Sequence, residues 1–137
     1  MKKLVLAIVV AYIVLMGTNY FVHEIWLMPD YNAIPASHRT AAEIQHRFWA
    51  MCVGQLIFAA MFAYIYTRGR EQKPWLAQGL RFGVVMTLAT VVPYSLSQYV
   101  VYIVPHLLAL KWMVAGFIQL LILGVIVAAI CKDGAAA

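Results

Sequence analysis

"LVLAIVVAYIVLMGTNYFVHEIWL", residues 4–27, is apolar on every face, and its few polar residues crowd toward its far end. A hydrocarbon core is crossed by about 20 apolar residues in a helix, so this stretch predicts a first membrane span. Lys2 and Lys3 ahead of an apolar run resemble the start of a secretory signal. However, no small-x-small cleavage site follows, and the apolar character runs on to Met28, so the reading is an uncleaved span. The same stretch poses the functional question. Asn19, His23 and Glu24 stand where lipid tails would make an amide, an imidazole and a carboxylate costly.

The rest of the chain has the same character. Of 137 residues, 65% are hydrophobic and 11% are charged, with a mean hydropathy of +0.85. A soluble domain of this size needs more charge to cover its surface. Further spans are predicted at about 46–66, 75–100 and 111–131, giving one all-α domain over 1–137, a four-transmembrane-helix bundle. Thr40 and Glu43 form a capping box that starts the second helix in water. Gly69 is expected to end it in a left-handed cap, and Pro74 suits the first turn of the third helix. Pro93 should kink the third helix, with Ser95 and Ser97 available to bond freed carbonyls. Residues 97–110 read equally as helix or as an interfacial segment. Cys52 and Cys131 fall toward opposite faces, too far apart to bridge.

The net charge of +5 sits at helix ends. Lys2, Lys3, Arg68, Arg70, Lys73, Arg81 and Lys132 gather on one side, against Arg39, Arg47 and Lys111 on the other. Seven against three predicts that both termini are cytoplasmic. The localisation is then a multi-pass membrane protein, in the inner membrane if the source is bacterial. Basic residues flanking apolar runs suit anionic lipid headgroups. No helix-turn-helix or RNA-binding pattern is present, so no nucleic-acid partner is expected.

At 1.5 Å per residue, Asn19, Gln55 and Gln119 each lie about 12 Å below the outer boundary. Tyr94 and Gln98 fall at similar or shallower depth. All four helices therefore contribute to one polar layer. Asn19 and His23 share a face at i, i+4, and Thr87, Thr90, Tyr94, Ser97 and Gln98 make a stripe at helical spacing. Glu24, about 100° around from His23, is expected on a different face. Two readings of Asn19, His23, Gln55, Tyr94, Gln98 and Gln119 stand open. They are interhelical glue, or they line a small polar cavity that holds water, a headgroup or a ligand.

A metal is the third possibility. Glu43 and His46 have Glu-x-x-His spacing on one helix face, and His23 and His106, with His38, fall on the same outer side. Glu43 and His46 with His23 or His106 could hold one zinc or copper ion. His23 and His106 could hold a haem. A di-iron site would need a second such motif. The chain has no GxSxG elbow or phosphate loop, so no catalytic residue is assigned.

His23 closing the first span and Gln78-Gly79-Leu80-Arg81-Phe82-Gly83 opening the third give the chain a resemblance to small uncharacterised bacterial four-helix integral membrane proteins. The resemblance implies the fold and no activity. With little mass outside the helices, the leading functional expectation is an accessory or assembly subunit, packed on a membrane-protein partner or on its own copies. The alternatives are a small-ligand or lipid carrier or channel, and an outer-face metal or haem redox protein.

Overall fold

The computed structural model describes residues 1–34, 39–71 and 73–132, which are helical with no strand among them. Helix α1 (Lys2–Tyr20) continues into a π-helical stretch, Phe21–Trp26, and a short helix, α2 (Met28–Asn32), follows. Then come α3 (Ala41–Gly69), α4 (Trp75–Met86), a second π-helical stretch (Thr87–Val91), α5 (Val92–Val101) and α6 (His106–Cys131). Four continuous segments, Lys2–Trp26, Ala42–Arg68, Trp75–Val101 and His106–Cys131, are long and apolar enough to cross a membrane. Helices suit such a sequence because every backbone hydrogen bond closes within the segment.

Local signals set the ends. Thr40 and Glu43 make the expected capping box, the Thr40 hydroxyl accepting from the Glu43 N–H and the Glu43 carboxylate accepting from the Thr40 N–H at 3.0 Å. Gly69 does not form the expected left-handed cap, since the chain leaves α3 through an extended Arg70 at φ −70°, ψ 130°. The fourth long helix starts at His106 rather than Lys111. Pro105 disfavours helix at the residue before it, and its carbonyl accepts from the N–H groups of Leu108 and Ala109 at 3.0 and 3.1 Å. Residues 97–110 thus divide into the end of α5, a break, and the first turn of α6. Pro29-Asp30-Tyr31-Asn32 is made of turn-forming types but does not make a simple turn. With Pro29 in its first turn it forms most of α2.

Pro93 produces its disturbance one turn early. It lies in the first turn of α5, directly after the wide turns of Thr87–Val91. Ser97 Oγ donates to the Pro93 carbonyl at 2.8 Å, and Thr87 and Thr90 donate to the carbonyls of Gly83 and Met86 at 2.8 and 2.7 Å.

Packing is tightest between α4 and α6. A Cβ placed on Gly79 would stand 2.7 Å from the Gly124 carbonyl oxygen, and one on Gly83 would stand 2.6 Å from that of Leu120. A Cβ on Gly124 would stand 2.3 Å from the Gly79 oxygen. Gly79 and Gly83, at GxxxG spacing, therefore make a backbone-to-backbone seam with α6, with Arg81 turned out of it, its side chain 69% exposed. A second small-residue contact joins α1 and α3, where Ala7, Ala11, Ala59 and Ala63 are fully buried. Phe82 stacks edge-on against Phe62 and Tyr66 to join α4 to α3.

Lys3 Nζ donates to the Lys132 carbonyl at 2.6 Å, Arg70 donates to the Cys131 carbonyl, and Lys132 Nζ lies 5.2 Å from the Trp75 ring centre. The N-terminus, the α3–α4 connector and the end of α6 therefore share one end of the bundle. The core sits toward this end. The outward faces carry Val5, Val9, Ile57, Leu88 and Ile118, all exposed. Cys52 and Cys131 are both free thiols.

Candidate functional site

The other half of the bundle holds a cavity of about 830 Å³. Its walls come from α1 with its π-helical end, α3, the third long helix around its wide turn, and the first half of α6. All of Asn19, His23, Gln55, Tyr94, Gln98 and Gln119 line it. Most of the remaining wall is apolar or aromatic, including Leu15, Met51, Phe58, Val91 and Leu120. This volume lies within the range of small-molecule sites, which run to about 300–1,000 Å³.

The polar groups form two sets. On the α1–α6 side they are paired. Gln119 Nε2 donates to Asn19 Oδ1 at 3.0 Å and to Thr18 Oγ1 at 2.5 Å, while Thr18 Oγ1 donates to the Val14 carbonyl at 2.7 Å. Above this node, Trp112 Nε1 donates to the Tyr31 hydroxyl at 2.9 Å, and that hydroxyl lies 2.6 Å from His23 Nδ1. Burial raises the Tyr31 phenol above its ordinary range, outweighing the Trp112 hydrogen bond, so it stays neutral. Tyr31 also stacks parallel to His23, with ring centres 6.0 Å apart. Lys111 Nζ holds Asp30 through both carboxylate oxygens at 2.8 Å, which ties α2 down onto α6.

On the α3–α5 side three polar side chains lack such pairing among the described residues. The side chains of Gln55, Tyr94 and Gln98 have no hydrogen-bond partner among the described residues, and Tyr94 is 64% exposed. These two walls are carried by different neighbours, α3 by α1 and α5 by α6.

The wide turns alter which residues face inward. Glu24 lines the cavity together with His23, contrary to the expectation that they occupy separate faces. The π-helical stretch Phe21–Trp26 changes the angular step, and the cavity spans enough of the helix circumference to take both. On the third helix Thr90, Ser95, Tyr94 and Gln98 line the cavity, whereas Thr87 is buried against its own helix and Ser97 is turned out of the cavity. Tyr31 and Trp112 are site residues that the sequence does not single out, one lying among turn-forming residues and the other at the outer edge of the fourth helix. The available signal was their type, since a buried Tyr or Trp needs a partner for its polar tip.

The proposed metal ligands occupy separate places. Glu43 serves the Thr40 cap and lies 3.9 Å from Arg39, His46 is exposed on α3, and His106 Nδ1 lies 2.5 Å from the Tyr99 hydroxyl. His23 is engaged with Tyr31. His38 lies outside the described residues. Among the described residues no three His, Cys, Asp or Glu side chains converge.

No protein-family model matches the chain, and neither a curated protein nor a solved structure does so. The functional reading therefore rests on the geometry above.

Proposed function

We propose that this chain is a four-span membrane protein that binds a small amphiphilic molecule in the cavity, as a carrier or binding protein. Both termini lie in the cytoplasm, and the cavity lies in the outer half of the membrane, on the periplasmic side in a bacterium. Four long apolar helices with exposed Val, Ile and Leu faces support insertion. The basic residues gathered around Lys3, Arg70 and Lys132 support the orientation.

The observation that carries the binding reading is the split wall. Purely structural amides in a bundle pair with one another, as Asn19 and Gln119 do. Gln55, Tyr94 and Gln98 instead present unpaired polar atoms to a largely apolar space of about 830 Å³. Such a site matches a molecule with an apolar body and a polar head. An accessory subunit that only packs against a partner needs no such space, so the cavity favours the ligand-binding alternative.

The test uses Trp112, which lines the cavity. A protein retaining Trp112 as its only tryptophan (Trp26→Phe, Trp49→Phe, Trp75→Phe) is placed in nanodiscs and titrated with brominated single-chain amphiphiles. Quenching that saturates supports the reading, provided Gly54→Phe abolishes it. Gly54 lines the cavity and a Cβ there meets nothing within 4 Å, so a larger side chain starts from open space on the cavity wall. Quenching that stays linear with probe, or is unchanged by Gly54→Phe, would reject it.

A further inference from the structure

We infer that the cavity's occupant is an amphiphilic cation, a lipophilic amine or quaternary ammonium compound, with Glu24 as its counter-ion. This rests on the amphiphile-binding reading and names the headgroup.

The charge census carries the argument. Among the described residues no lysine or arginine lines the cavity. The lysine and arginines described at this end of the bundle each make a contact elsewhere. Lys111 is held on Asp30 at 2.8 Å, Arg39 lies 3.9 Å from the Glu43 carboxylate, and Arg47 donates to the Glu43 carbonyl at 3.4 Å. Among the described residues Glu24 is the one carboxylate in the wall, and it makes no ion pair with them. An anionic headgroup such as a phosphate would meet Glu24 with no cation to offset it. An ammonium head meets a complementary charge.

The remaining wall fits the same ligand. Tyr20, Tyr31, Tyr94 and Trp112 place aromatic rings around the outer part of the cavity, and aromatic faces attract alkylammonium groups. The amide oxygens of Gln55 and Gln98 can accept from the N–H groups of a protonated amine, while a quaternary head, which has none, is held by Glu24 and the aromatic faces. Phe48, Met51 and Phe58 give the apolar tail a surface along α3.

The experiment uses three probes with one brominated chain and different heads: alkyltrimethylammonium, monoacylglycerol and alkyl sulfate. Each is titrated against the Trp112-only protein in zwitterionic nanodiscs, at matched membrane mole fraction. The ammonium probe should half-saturate at a mole fraction at least tenfold below the glycerol probe, and the sulfate probe should be weakest. Glu24→Gln should bring the ammonium probe to the level of the glycerol probe, and Glu24→Asp should retain most of the preference. Sulfate binding as tight as ammonium binding would overturn the inference, as would an ammonium affinity untouched by Glu24→Gln. In both cases a saturating glycerol probe leaves the amphiphile reading intact. Saturation by none of the three removes both.

Discussion

The two halves of the bundle use glycine in opposite ways. Toward the termini, Gly79, Gly83 and Gly124 let α4 and α6 touch backbone to backbone, and no side chain fits between them. In the other half, Gly54 faces open space on the cavity wall. Gly116 stands at the changeover. A Cβ there would meet Val91 Cγ1 at 2.6 Å, and Val91 is the last residue of the wide turn from which α5 departs. The glycine seam between α4 and α6 thus ends near this point, and in the cavity half Gly54 belongs to a different helix, α3. A small residue closes a seam when another backbone faces it, and leaves a cavity when nothing does.

The largest expected effect is the contrast between the two glycine positions. Gly124→Leu must separate α4 from α6, since a Cβ there meets the Gly79 backbone oxygen, which cannot rotate away. Overpacking a tight contact costs about 1–3 kcal/mol and occasionally more, and this site is expected at or above the upper figure. Gly54→Leu should change stability by about 0.5 kcal/mol or less. Unfolding in mixed micelles, followed by helicity, measures both. Equal losses at the two sites would end the comparison.

The node joining α1 to α6 comes next. Gln119→Leu leaves Asn19 Oδ1 without its donor. Interhelical polar contacts in membranes contribute about 1 kcal/mol, so a loss of about that size is expected in the same assay. By contrast Gln98→Leu, which breaks no protein hydrogen bond, should leave stability nearly unchanged and weaken amphiphile quenching of Trp112. A larger stability loss for Gln98→Leu than for Gln119→Leu would mean the free wall is structural.

The four long helices were legible because hydropathy alone marks them, and the polar layer was legible because rise per residue converts position into depth. That arithmetic brought Asn19, Gln55, Gln98 and Gln119 to one level before any packing was known. What it could not supply was pairing across the chain. Tyr31 and Trp112 meet over a separation of 81 residues, and each has an adequate local reading as turn or anchor. Glu24 was misplaced because the cavity wraps around the end of the first span and takes Tyr20, Val22, His23 and Glu24 alike. The start of α6 was missed because Lys111 and Trp112 look like a membrane boundary, while Lys111 is in fact held by Asp30.

That ion pair gives a smaller test of the same contrast. Both side chains are 27% exposed, between a surface pair and a buried one. A double-mutant cycle with Asp30→Ala and Lys111→Ala should return a coupling of about 1 kcal/mol or less. If α2 covers the cavity through this contact, breaking it should also speed the release of the quenching amphiphile. An unchanged release rate would confine the pair to a structural role.

The smallest effect is expected at the termini end, where the polar groups lie outside the bundle. Glu71 accepts from Lys73 Nζ at 2.5 Å, with Arg81 3.9 Å away, and these cations hold its carboxyl below the usual range. A lowered folded-state pKa means that stabilisation is present above the ordinary carboxylate pKa and is lost as pH falls through the lowered value. The thermal midpoint should therefore drop on acidification, and Glu71→Gln should reduce part of that drop. Because Glu71 is exposed, salt should shrink its share as well. The Asp30–Lys111 pair, partly withdrawn from solvent, should respond less to salt than Glu71 does. Equal salt sensitivity at the two sites would show that α2 lies as open to water as the α3–α4 connector.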